Sequence, residues 1–119
     1  WVNITGFKIM DGNAGVYLNN VNNCNISNNV FENGGLDTGI YLYYSNNNTI
    51  ANNEFLNNGV IVFYSYNNEV TDNTVNGKPL VYIEGESDVA IEDAGQVILV
   101  KCNNIIVSNL DLSNTVVGC

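Results

Sequence analysis

The segment from Asn25 to Phe31 (NISNNVF) returns from Thr49 to Phe55 (TIANNEF) and, loosened, from Glu69 to Val75 (EVTDNTV). Ile26, Asn29 and Phe31 thereby align with Ile50, Asn53 and Phe55, and with Val70, Asn73 and Val75. Ile4, Phe7 and Ile9 before the copies, and Val107, Leu110 and Leu112 after them, keep the frame without the asparagine. The offsets are 22 residues from Ile4 to Ile26, 24 from there to Ile50 and 20 more to Val70. A period of that size belongs to a solenoid, whose units bury their apolar faces against one another. A second block follows each copy: Gly15 to Leu18 (GVYL), Gly39 to Leu42 (GIYL), Gly59 to Val62 (GVIV) and Pro79 to Tyr82 (PLVY). Its alternate apolar residues behind a glycine or proline read as a short strand launched from a turn. Two short strands per repeat, with no helical periodicity, predict an all-β chain: a parallel β-helix of about five coils with uncapped ends, residues 1–119 forming one domain.

In such a fold like positions stack at about 4.8 Å, so identity between copies becomes an energy term. A buried asparagine without a partner costs about 1–3 kcal/mol. Asn29, Asn53 and Asn73 are therefore expected to stack, each amide donating to the next carbonyl, in a ladder that stops where Phe7 and Leu110 stand. The expected inward columns are Ile4, Ile26, Ile50, Val70 and Val107; Ile9, Phe31, Phe55, Val75 and Leu112; Val16, Ile40, Val60 and Leu80; and Leu18, Leu42, Val62 and Tyr82.

The asparagine, isoleucine, asparagine and phenylalanine phrase followed by Gly-Ile-Tyr-Leu resembles the parallel β-helix repeat of NosD-like proteins and of the carbohydrate-binding and sugar-hydrolase (CASH) surface modules of archaea and bacteria. The resemblance covers residues 1–83 and returns at 96–119. It implies a right-handed coil and an exported, extracellular or cell-surface location. Its motifs are core and ladder positions, so they speak to fold more than to activity. The copper handling that NosD-like proteins suggest needs histidine or methionine ligands, and this chain has no histidine and only Met10.

The formal charge is −9, and Lys8, Lys78 and Lys101 are the only cations. That balance argues against nucleic acid, anionic lipid or a polyanionic sugar as partner, because phosphate and carboxylate recognition needs positive charge. No signal peptide or membrane-inserting span is present, so any export signal is removed or lies outside this sequence. Trp1 opens inside a strand with no polar cap, as in an excised piece or a subunit whose ends are covered by neighbours. Cys24, Cys102 and Cys119 have no metal-ligand spacing. Cys24 and Cys102 lie nearly four coils apart, too far for a disulfide. Both read as small turn or core residues, and Cys119 could pair with another chain. The sequons at Asn3, Asn25 and Asn47 arise readily in an asparagine-rich repeat.

Three groups of side chains are candidates for function. The outward positions of the second strand are aromatic: Tyr17 and Tyr41 lead one column towards Ile61 and Val81, Tyr43 and Phe63 occupy the next between Asn19 and Ile83, and Tyr44 and Tyr64 continue round the corner. A solvated sheet face normally alternates apolar with polar residues, so this face is a candidate for stacking neutral sugars, for packing on another copy or domain, or for an aromatic ladder that supports the sheet. Residues 84–95 break the period with Glu84, Glu86, Asp88, Glu92 and Asp93, an acidic surface excursion that could wrap calcium, although it matches no calcium-loop spacing. Gln96 to Val100 are expected to rejoin the sheet. Asp11, Glu32 and Asp37 lie on the longer turns and could share one rim.

Enzymatic readings meet chemical obstacles. A lyase for acidic sugars needs a cation and a base, and the three lysines lie on different coils. A glycoside hydrolase needs two carboxylates about 5–9.5 Å apart across a groove, and Asp11 and Asp37 sit on turns of unequal length. The expectation is a non-catalytic extracellular module with a structural or adhesive role at a cell surface. Its partners would be further copies, stacked head to tail into a filament or layer, or a neighbouring domain met through the end coils and the apolar outer face. A neutral-carbohydrate-binding module is the alternative, and a fragment of a polysaccharide lyase or hydrolase a further one.

Overall fold

The computed structural model describes residues 1–32 and 38–118. Three coils come first: β1 (Asn3–Thr5), β2 (Lys8–Met10) and β3 (Ala14–Asn19); β4 (Asn25–Ser27), β5 (Val30–Glu32) and β6 (Thr38–Tyr43); β7 (Thr49–Ala51), β8 (Glu54–Leu56) and β9 (Val60–Phe63). Each coil contributes one strand to each of three parallel walls, β1-β4-β7, β2-β5-β8 and β3-β6-β9. The repeat sets the register, with Ile4 on Ile26 on Ile50 and Ile9 on Phe31 on Phe55. Val16, Ile40 and Val60 form the third inward column.

The walls are short because the chain turns sharply between them, and those corners need left-handed backbone. Gly6, Asn28, Asn52 and Asp72 form one column of positive φ, and Asn23, Asn47 and Asn67 another. Asparagine tolerates φ near +55° better than other residues with a side chain. Inside the corners run the ladders. Asn29 Nδ2 donates to Asn53 Oδ1 at 3.2 Å, and Asn53 Nδ2 to Asn73 Oδ1 at 3.0 Å. Phe7 ends the ladder by donating its own N–H to Asn29. A second ladder joins Cys24, Asn48 and Asn68, and a third passes from Val21 through Ser45 to Ser65.

After the third coil the expected stacking stops. β10 (Glu69–Thr71) and β11 (Thr74–Val75) still extend the first two walls, but β12 (Lys78–Glu84) does not pair with β9. It folds back antiparallel on β11 through Asn76 and Gly77, both left-handed at φ 52° and 80°, a two-residue hairpin turn. β12 then pairs in parallel with β14 (Gln96–Val100), Leu80 opposite Gln96. The last pair is β13 (Ala90–Ile91) with β15 (Ile106–Val107).

Leu80, Tyr82 and Ile98 pack on the core of the three coils, whereas Val81, Ile83 and Val97 belong to a second core with Ile91, Ala94, Leu110 and Leu112. The β12–β14 sheet is thus a floor between two cores, and it closes the stack on that side. This corrects several expectations. There are three full coils rather than five, and this end is covered. Leu80 and Tyr82 keep their inward parity but leave the wall columns. Val107 pairs with Ile91 instead of stacking on Val70, and Leu112 and Leu110 serve the second core.

Residues 84–95 are also more regular than expected. Gly85 and Asp88 repeat the pair of left-handed positions found at Tyr44 and Asn47, and Lys101 and Asn104 repeat it again. What this stretch lacks is the second short strand: β13 leads directly to β14. Cys102 takes the place of the ladder serines, its Sγ donating to the Val100 carbonyl as Ser45 Oγ does to Tyr43. Cys24 and Cys102 are free thiols; Cys119 lies outside the described residues.

Candidate contact surface and end groove

The outward face of β3, β6 and β9 gathers all six aromatic residues. Tyr17 stacks on Tyr41 at 5.2 Å between ring centroids and Tyr43 on Phe63 at 6.0 Å. Round the corner Tyr44 stacks on Tyr64 at 5.0 Å. The two columns meet edge to face, Tyr43 with Tyr44 and Phe63 with Tyr64, each at 4.6 Å. Tyr17, Tyr44, Phe63 and Tyr64 are 46–54% exposed. Val81 and Ile83, expected in these columns, are turned into the second core instead. Because the Tyr43–Phe63 and Tyr44–Tyr64 columns stand at 84–88° to each other, the strip presents ring faces as well as ring edges.

The backbone beneath the strip is unusual. Tyr44 and Tyr64 both have φ of 47°, at the corner position that Asn20 fills in the first coil with φ 55°. Left-handed backbone costs a residue with a bulky side chain about 1–2 kcal/mol, and asparagine less. Ring pairing returns about 0.5–1.5 kcal/mol per pair beyond area burial, so much of what the tyrosines contribute to the fold is offset by the backbone they occupy.

The acidic candidates do not converge. Glu84 accepts the Asn67 N–H with both carboxylate oxygens, at 3.0 and 2.8 Å, and the Tyr82 hydroxyl at 3.1 Å. Asp88 is held by the Asn104 amide, while Glu86, Glu92 and Asp93 are exposed. Among the described residues no group of three or more histidine, cysteine or carboxylate side chains is placed to share a metal ion. Glu32 is engaged with Lys8 at 2.8 Å, which raises the lysine pKa through that hydrogen bond. Asp11 sits exposed on its turn, and Asp37 lies outside the described residues.

A family model described as a right-handed β-helix region matches residues 1–118. The chain belongs to that family. No curated protein and no solved structure shows significant similarity to it. The right-handed β-helix scaffold therefore rests on three walls and their ladders, and the aromatic strip is a feature added to one wall of it.

One site was not foreseen. Where β9 fails to meet a fourth wall strand, a groove of about 190 Å³ opens between it and the floor, lined by Val60, Ile61, Val62, Ile98, Leu99 and Val117 among others. Buried Gln96 spans its near end, Nε2 donating to the Val60 carbonyl at 2.8 Å and Oε1 accepting the Val60 N–H at 3.0 Å. A side chain at Gly59 would collide with that carboxamide and with the Thr115 hydroxyl. A buried glutamine where the repeat offers only apolar residues was the signal available in the sequence.

Proposed function

We propose that this β-helix is a non-catalytic contact module of an exported, cell-surface protein, and that copies of it associate through the aromatic strip. The observation that carries this reading is the placement of Tyr44 and Tyr64 on left-handed backbone. Half-exposed rings kept where asparagine would strain the backbone less point to a use outside the fold, because strained positions persist where function requires them. An exposed patch of aromatic rings suits packing against an apolar surface. The net charge of −9 opposes indiscriminate association, so such contact would be confined to the strip. Neutral sugars are the second reading. They would find hydroxyls along the strip, and exposed ring surface at its Phe63 and Tyr64 end.

The test is sedimentation velocity over a range of concentrations, comparing the chain with the Tyr44→Asn/Tyr64→Asn variant. The chain is expected to associate, and the variant to do so at least about tenfold more weakly, since a few tyrosines dominate such contacts. The variant's unfolding free energy should change by no more than about 1 kcal/mol, relief of strain offsetting lost stacking. Equal association by the variant would contradict the proposal. A chain that stays monomeric while neutral oligosaccharides bind at the strip would favour the second reading.

A further inference from the structure

We infer that the groove between β9 and β14 accepts an extended, apolar, uncharged peptide segment of another molecule, which adds as a strand to the free edge of β9. The direction of the main-chain groups supports this. Ile40 N–H donates to the Gly59 carbonyl and Tyr44 N–H to the Phe63 carbonyl, so the odd-numbered residues of β9 turn their peptide groups to β6. In a strand the alternate residues face the other way. Val60 and Val62 therefore face the groove. The Val60 pair is satisfied by Gln96, and Val62 has no main-chain partner on that side among the described residues.

The floor repeats the arrangement. Gly85 N–H donates to the Val100 carbonyl, which turns the even-numbered residues of β14 to β12 and leaves Val97 and Leu99 facing outward. Val97 N–H donates to the Gly118 carbonyl at 2.9 Å, and Leu99 is the next in line. The near end of the groove is thus already filled by peptide chemistry, a glutamine carboxamide on one wall and the Gly118 peptide on the other. Val117 lies in the groove, and Thr115 is anchored to the Asn58 carbonyl at 3.1 Å. An extended segment continuing that line would meet Val62 on one side and Leu99 on the other.

The occupant's chemistry follows. Ile61, Val62, Ile98 and Leu99 offer alternate side chains an apolar lining, and main-chain hydrogen bonds supply what a small apolar ligand would leave unpaired. The surrounding negative charge disfavours an acidic segment.

The probe is a blocked, uncharged heptapeptide of alternating valine and threonine with glutamine at each end, titrated into the isotope-labelled protein and followed by NMR. Saturable binding is expected, with shifts at the Val62 and Leu99 amides and slowed exchange of the Val62 amide proton. Methylating alternate backbone nitrogens of the peptide should abolish binding. Val62→Pro, which removes an outward N–H from an edge strand along with some side-chain packing on the core, should weaken it at least about tenfold while the amide shifts of β4 and β7 stay unchanged. Absence of binding at millimolar peptide overturns the inference. So does equal binding of the methylated peptide, which would make the groove a simple apolar pocket, and so do shifts confined to the tyrosine strip.

Discussion

Asparagine does two separate jobs in this chain, and they respond differently to mutation. At the corners it relieves left-handed backbone, as at Asn52 with φ 56°. In the ladders it carries buried main chain: Asn53 accepts from the Asn29 N–H and amide, and donates to the Ile26 carbonyl and Asn73 Oδ1. Asn53→Leu should destabilise by roughly 3 kcal/mol or more, because several buried groups lose partners at about 1–3 kcal/mol each. Asn52→Gly should stay within about 0.5 kcal/mol. Urea unfolding of both variants checks the contrast. The first ladder was legible in the sequence because the three copies align without a gap. The second was hidden because Cys24 replaces asparagine in its first rung, and the strain at Tyr44 was hidden because nothing in a tyrosine announces its φ.

At the scale of elements, the instructive departure is β12. The Asn76 and Gly77 dipeptide is a strong hairpin signal, yet the alternation of Leu80 and Tyr82 reads the same for a wall strand and for a floor. Parity was therefore recoverable from sequence and the pairing partner was not. The floor is stitched to the wall by Gln96. Gln96→Met keeps the volume but strands the Val60 N–H and carbonyl; a loss of about 2–4 kcal/mol is expected from two unpaired buried groups, measured by thermal or urea unfolding. Tyr82 makes a pH-dependent contribution. Its pKa is raised from 10.0, first by burial and then by Glu84. The unfolded chain therefore releases this proton before the folded one does, so the contribution is intact below pH 10 and is lost as pH rises beyond it. Tyr82→Phe should flatten the fall of stability with pH above that value.

The molecule as a whole is a right-handed β-helix of three full coils whose third wall ends at β9 and is closed by a sheet laid between two cores. Both proposed contacts lie on that third wall, the aromatic strip on its outward face and the groove where a fourth strand is missing. A periodic reading finds the coils readily. It overcounts them because Val107, Leu110 and Leu112 keep the repeat spacing while Leu110 and Leu112 pack in the second core and Val107 stays on the surface, and spacing alone does not report which core a side chain enters. Amide hydrogen exchange, residue by residue, tests this ending most directly. Slow exchange at Asn53 and Val60 with fast exchange at Val62 is predicted, since Val60 is capped by Gln96 and Val62 faces the open groove. Equal protection of Val62 and Val60 in the isolated monomer would mean that a further strand pairs with β9, and that the stack does not end there.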